Sequence, residues 1–114
     1  MNKPTGVLFD DSYLKHLLGH IGHPECPERL MAIEAALREA PWFSSVVTLG
    51  ARPATDHELR LVHDPLYLSL VKREAGTVQG LKELGTGDTI VSRDSLAVAQ
   101  LAAGGVLRAC DAVM

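Results

Sequence analysis

Aromatic residues are scarce in this chain of 114 residues, which has two Phe, two Tyr and one Trp. Any core must therefore be built mainly of Leu, Val and Ala, at a length where roughly two-thirds of the unfolded surface becomes hidden. Cysteine is nearly absent. Cys26 and Cys110 lie far apart and belong to no paired-cysteine motif, which excludes a disulfide-dense scaffold and makes reduced thiols in the cytoplasm the expectation. Positive charge is not in excess: eleven Lys and Arg face fourteen Asp and Glu, a net charge of -3, and no segment concentrates the basic side chains. Direct nucleic-acid binding through phosphate contacts is excluded on that ground. The longest apolar stretch, Leu96 to Leu107, is broken by Gln100 and falls short of the ~20 residues a span needs. Met1 to Thr5 has one lysine and no apolar stretch of the export-signal kind, so neither membrane contact nor export is expected.

What is present is globular: 46% hydrophobic residues against 22% charged, a balance that argues for one domain or part of one. Val7-Leu8-Phe9, bounded by Thr5-Gly6 and Asp10-Asp11-Ser12, reads as a buried strand. Ser12 to Cys26, with two glycines, three histidines and Pro24, reads as a long ordered loop with one helical turn at Tyr13 to Leu18. Loops of that length tend to be functional. Pro27 then suits a first helical position and Glu28 the first turn, and Leu30, Ile33, Ala36 and Leu37 form an apolar stripe on a helix that Pro41 stops. Val46 to Leu49 is a second strand by its β-branched content.

Thr55-Asp56-His57-Glu58 has the spacing of a capping box, and Asp64-Pro65 restarts a helix as cap and first position, continued by Leu66, Leu70 and Val71. Gly76 to Gly87 reads as loop, with Leu81 and Leu84 on one turn. Ser95 to Met114 is a long Ala-rich helix, apolar on most faces and expected to be buried. Gly104 and Gly105 in its middle cost about 1 kcal/mol each relative to Ala, so they predict close approach of another backbone. The order strand, helix, strand, helix, helix, helix predicts an α/β fold with a parallel sheet. Two short strands cannot cover so apolar a last helix, and Cys110 to Met114 carries no stop signal. The expectation is the front portion of a larger domain.

Gly22-His23-Pro24-Glu25-Cys26-Pro27-Glu28-Arg29-Leu30, which follows the first strand and the long loop, resembles the zinc-dependent histone deacetylase family, which includes acetylpolyamine amidohydrolases and acetoin-utilisation proteins. Three further segments agree in order: Val7 to Tyr13 followed by His16; Val62 to Tyr67; and Gly87-Asp88-Thr89 leading into the helix with Ala99 to Gly104. The His-Pro-Glu form at 23–25 looks like the class II and bacterial branch. The resemblance implies a three-layer α/β/α domain of arginase-like topology, about three times this length, of which residues 1–114 are the N-terminal segment. It also implies a zinc cofactor whose ligands lie outside this segment. The family's Pro-Gly-His-His segment, its Asp-x-His and Asp zinc ligands and its Gly-Gly-Tyr tyrosine do not occur here.

Independently of any family, metal-assisted amide hydrolysis needs about three protein ligands around an open position, a base and an oxyanion donor. The histidines are His16, His20, His23, His57 and His63; no Asp lies one or two residues from the first three, and His57 sits in a capped helix start. No catalytic residue and no metal ligand is therefore assigned in this segment.

Arg29 matches the family's arginine lining the internal cavity through which acetate is thought to leave; by itself it reads as a solvated helix-surface residue. Asp88 matches the aspartate at the rim of the active-site tunnel that accepts hydrogen bonds from the substrate backbone; by itself it reads as a turn residue beside glycine. His16, His20, His23 and Cys26, at spacings of four, three and three, form the one local cluster of metal-ligand type, with hydrogen-bonded ordering of the loop by His23-Pro24-Glu25 as the preferred reading. His63, Asp64 and Tyr67 read as a structural motif: Asp64 caps a helix and Tyr67 packs one turn along.

The resulting expectation is a segment of a zinc-dependent deacetylase or amidohydrolase acting on acetylated lysine, acetylated polyamines or other small acetylated amines, inactive on its own. The alternative from a different class is a non-catalytic module that forms a homo-oligomer, or binds a partner, through the apolar helix at 95–114.

Overall fold

The computed structural model describes residues 3–19, 22–87 and 89–114. β1 (Gly6–Leu8) and β2 (Val47–Leu49) pair in parallel, with Gly6 opposite Val47 and Leu8 opposite Leu49. Between them run a 3-10 turn (Asp11–Lys15), α1 (Pro27–Glu39) and a second 3-10 turn (Phe43–Ser45). A parallel pair needs a crossover of a dozen or more residues, and α1 supplies it. It opens with Pro27 at its first position and Glu28 in its first turn, and closes where Ala40 turns extended and donates its N–H to Leu37 O, just before Pro41. This parallel unit is the one the sequence predicted.

The caps also stand as expected. α2 (Asp56–Arg60) begins with a reciprocal box in which Thr55 Oγ1 accepts from Glu58 N–H while Glu58 Oε1 accepts from Thr55 N–H. Asp64 Oδ1 accepts from Leu66 N–H at 2.7 Å to start α3 (Pro65–Gly76). Arg52 grips the Glu58 carboxylate with both terminal nitrogens, each at 2.8 Å. That grip, more than the hydrogen bonds from Thr55, holds the Glu58 carboxyl down to about 2. A carboxylate held below its unfolded value of 4.5 stabilises the fold above that pH, and the contribution fades as pH falls from 4.5 toward 2. Stability followed by circular dichroism should therefore fall as pH drops through this window, and the Glu58→Gln variant should show a shallower loss between the same pH values.

Two expectations are corrected. The stretch from Gly76 to Gly87 is not simply loop with Leu81 and Leu84 on one turn. β3 (Lys82–Glu83) pairs antiparallel with β4 (Ile90–Val91), and Leu84 is buried just beyond the pairing. Lys and Glu are poor strand formers, and two-residue strands leave no alternation to read. The second correction concerns α4 (Ser95–Val113), which is not buried. Only Ser95, Gly104 and Gly105 on it are inaccessible, whereas Val106 is 65% and Val113 85% exposed. Two strands of three residues are too small to cover nineteen helical ones. The helix also runs past Leu107, and by length and composition it would suffice to cross a membrane, a test that core helices pass as well.

The face of α4 that is covered is the glycine face. A Cβ on Gly104 would lie 1.8 Å from Arg52 O and 2.6 Å from Ala54 N. Here the segment after β2 presses its backbone against the helix, and Ala54 N–H donates to Gln100 O at 2.8 Å. Gly105 faces Leu8 of β1 and the Tyr13 hydroxyl, which donates to Leu101 O at 3.1 Å. Burial raises the Tyr13 phenol above its ordinary value, which keeps its proton in place as a donor. α4 thus stands against β1, the first 3-10 turn and the segment before α2 through its two glycines.

Candidate functional site

The C-terminal ends of parallel strands are where open α/β sheets place their ligands. β1 leaves the sheet there through Phe9 and Asp10. Asp10 Oδ1 accepts from Ser12 N–H at 2.8 Å, which starts the first 3-10 turn and lowers the Asp10 carboxyl. The chain then runs through the long loop that the sequence singled out. His16 turns its Nδ1 to Ser95 Oγ, 2.7 Å away at the start of α4. Burial holds the His16 imidazole below its ordinary value, Glu25 pulls the other way and His23 adds to the depression. Leu17, 1% exposed, adopts a left-handed backbone at φ 57°.

Further along, Glu25 N–H donates to His23 Nδ1 at 3.0 Å, which ties the His-Pro-Glu turn across Pro24. Arg29 lies on the first turn of α1 and makes an ion pair with Glu25 at 2.9 Å; both side chains are about half exposed. Cys26, half-buried, occupies the position before Pro27 without a side-chain cap bond. Asp88 and His20 lie outside the described residues. His63 and Tyr67, one turn apart across the start of α3, stack with ring centres 5.3 Å apart, next to the Asp64 cap. They lie at the exposed α2–α3 corner with Leu61, Val62 and Leu66.

The fold therefore brings the 12–26 loop against the β4–α4 junction and leaves His63, Asp64 and Tyr67 at a separate corner. Among the described residues no three His, Cys, Asp or Glu side chains converge as a cation site requires. Sequence reasoning missed Ser92 and Ser95. The signal was faint: two serines three residues apart at a helix start, a spacing that usually marks only a cap.

A parallel strand–helix–strand unit that continues through a small hairpin into a long glycine-notched helix is an α/β arrangement. The chain belongs to the histone deacetylase family: the family model for the histone deacetylase domain matches residues 23–114. Human polyamine deacetylase HDAC10 is 41% identical over 100 residues, covering 80% of this chain and 15% of that protein. Histone deacetylase 15 of Arabidopsis thaliana is 36% identical over 104 residues, covering 88% of this chain and 18% of its own length. The crystal structure of the HDA15 HD domain superposes with a TM-score of 0.75 at 33% identity, over 90% of this chain and 29% of that one. The chain thus spans less than a third of each of these relatives.

Proposed function

We propose that these residues are the N-terminal segment of an enzyme that removes acetyl groups from acetylated lysine or from acetylated polyamines and related small amines. The observation that carries this reading is the family match from His23 onward, which runs through the His-Pro-Glu turn, the α3 start and α4. The relatives' names, a polyamine deacetylase and a histone deacetylase, supply the two substrate classes. In this reading Asp88 stands at the rim where substrate enters, and Arg29 belongs to the wall of the cavity that releases acetate. Arg29 would exchange its exposed partner Glu25 for a carboxylate product, which a guanidinium can hold with two parallel bonds. In this reading the enzyme takes the family's zinc, and none of the described residues of this segment is assigned to it. Its ligands belong to the rest of the domain, and the 114 residues alone are inactive.

A second reading rests on the exposed apolar side of α4, with Val106, Val113 and Met114 open to solvent. In it this face pairs with a second copy of the chain rather than with further strands of its own domain.

One experiment separates them. The 114-residue polypeptide and the product of the longer reading frame that contains it are assayed on an acetyl-lysine peptide and on acetylated spermidine, with light scattering on both. The expected result is turnover by the longer protein alone. A discrete dimer from residues 1–114, with no turnover by the longer product on either substrate, would overturn the deacetylase reading in favour of the second.

A further inference from the structure

The 12–26 loop and the β4–α4 junction meet through four polar groups in a row. Leu17 N–H donates to Ser92 Oγ at 3.3 Å, Ser92 Oγ lies 3.1 Å from Ser95 Oγ, and Ser95 Oγ lies 2.7 Å from His16 Nδ1. Ser92 N–H also donates to Ser95 Oγ, at 2.7 Å. The donors and acceptors along the row are mutually consistent in one direction. With the His16 proton on Nε2, Ser95 donates to Nδ1 and accepts from both the Ser92 amide and the Ser92 hydroxyl, while Ser92 Oγ accepts from Leu17. Burial of Ser95 and Leu17 keeps water from competing for these bonds.

Leu17 ends this row with a left-handed backbone, a state that costs a branched residue about 1–2 kcal/mol. Such strain persists only where the surroundings over-determine it, and it gathers at working parts of a fold. Here the Leu17 amide is held by Ser92 and its side chain is buried. Beside it opens a cleft of about 370 Å³, with Lys15, Leu18 and Gly19 on the loop side and Leu81, Arg93 and Asp94 on the hairpin side. Ser92, within the row of hydrogen bonds, also lines this cleft.

We propose that His16, Ser92 and Ser95 are positioning residues: together they latch the segment 12–19 to the β4–α4 junction and so set the width of the cleft between Lys15, Leu18, Leu81 and Arg93, through which substrate enters. The proposal rests on the deacetylase reading, in which the β3–β4 hairpin carries the rim. Neither serine nor His16 touches the reacting amide. Their effect is on where the substrate is held, so it falls on KM rather than on kcat.

The test uses the longer protein and its Ser95→Ala variant, which deletes one hydroxyl and leaves the helix intact, beside His16→Ala and His16→Asn. The Asn amide can meet the Ser95 hydroxyl from nearly the place of Nδ1. For an acetyl-lysine peptide, Ser95→Ala and His16→Ala are expected to raise KM on the order of tenfold while kcat stays within about twofold, since a widened cleft loses contacts made equally in the ground state and the transition state. His16→Asn should return KM most of the way. Amide hydrogen exchange at Leu17 should quicken on the order of tenfold or more in both alanine variants as the latch opens. Unchanged exchange in Ser95→Ala would show that no latch exists. Faster exchange with unchanged KM in an active protein would reduce the latch to a structural contact and overturn the proposal alone, whereas an inactive wild-type protein would overturn the deacetylase reading beneath it.

Discussion

Replacing Gly104 by alanine is expected to destabilise the protein by at least about 3 kcal/mol, at or beyond the upper end of overpacking effects. An exposed helix would gain about 1 kcal/mol from the same change. The sign reverses because the added methyl would fall 1.8 Å from Arg52 O and 2.6 Å from Ala54 N, and neither is the movable tip of a side chain. The segment 52–54 has to retreat, which breaks the Ala54 N–H bond to Gln100 O. Gly105→Ala is the internal control. Its methyl would meet the Tyr13 hydroxyl at 2.6 Å and Leu8 Cδ2 at 3.0 Å, atoms at the far ends of side chains that can shift. Urea unfolding should place the midpoint of Gly104→Ala well below that of Gly105→Ala. Equal midpoints would mean that the 52–54 segment does not press on the helix.

Leu17 yields the second large effect, through an inverted order of two variants. Truncation to alanine removes a side chain that is 1% exposed and should cost about 2–5 kcal/mol, the range for large-to-small changes in a packed interior. Leu17→Gly removes still more of the side chain, yet it should be the more stable of the pair by about 1 kcal/mol, because glycine adopts φ 57° without the steric cost that alanine carries. At an ordinary extended or helical position the order is the reverse. Denaturant midpoints of the two variants decide it, and an alanine variant as stable as the glycine one would show that this backbone is not left-handed in solution.

What could be read from the sequence is what is encoded within a few residues. The Thr55–Glu58 box and Asp64 each start a helix by satisfying amides two or three positions away, and Pro27 starts one through its fixed φ at the first position; the spacing of the residues is itself the signal. The Gly104-Gly105 pair was equally legible, since glycine in a helix interior makes sense only where something comes close. The β3–β4 hairpin was hidden because Lys82-Glu83 and Ile90-Val91 are too short to show a period. The exposure of α4 was misread for a different reason: apolarity says that a face should be covered, not that these residues cover it.

The candidate site divides along the same line. Asp88 and Arg29 were reached through a family resemblance, because a turn aspartate and a helix-surface arginine carry no chemistry of their own. The His16–Ser95 bond joins residues 79 positions apart, and no local pattern announces it. Leu17 was the least legible of all. A left-handed position usually advertises itself as glycine or asparagine, and here a leucine holds it by burial and one serine bond.

The bond from Tyr13 to Leu101 spans 88 residues, and it sets a timetable for synthesis. At translation speeds of about 5–20 residues per second, the first strand and its turn emerge from the ribosome roughly 4 to 18 seconds before the helix that they grip has been made. Until then β1 can pair only with β2, and the Tyr13 hydroxyl waits without its carbonyl partner on α4.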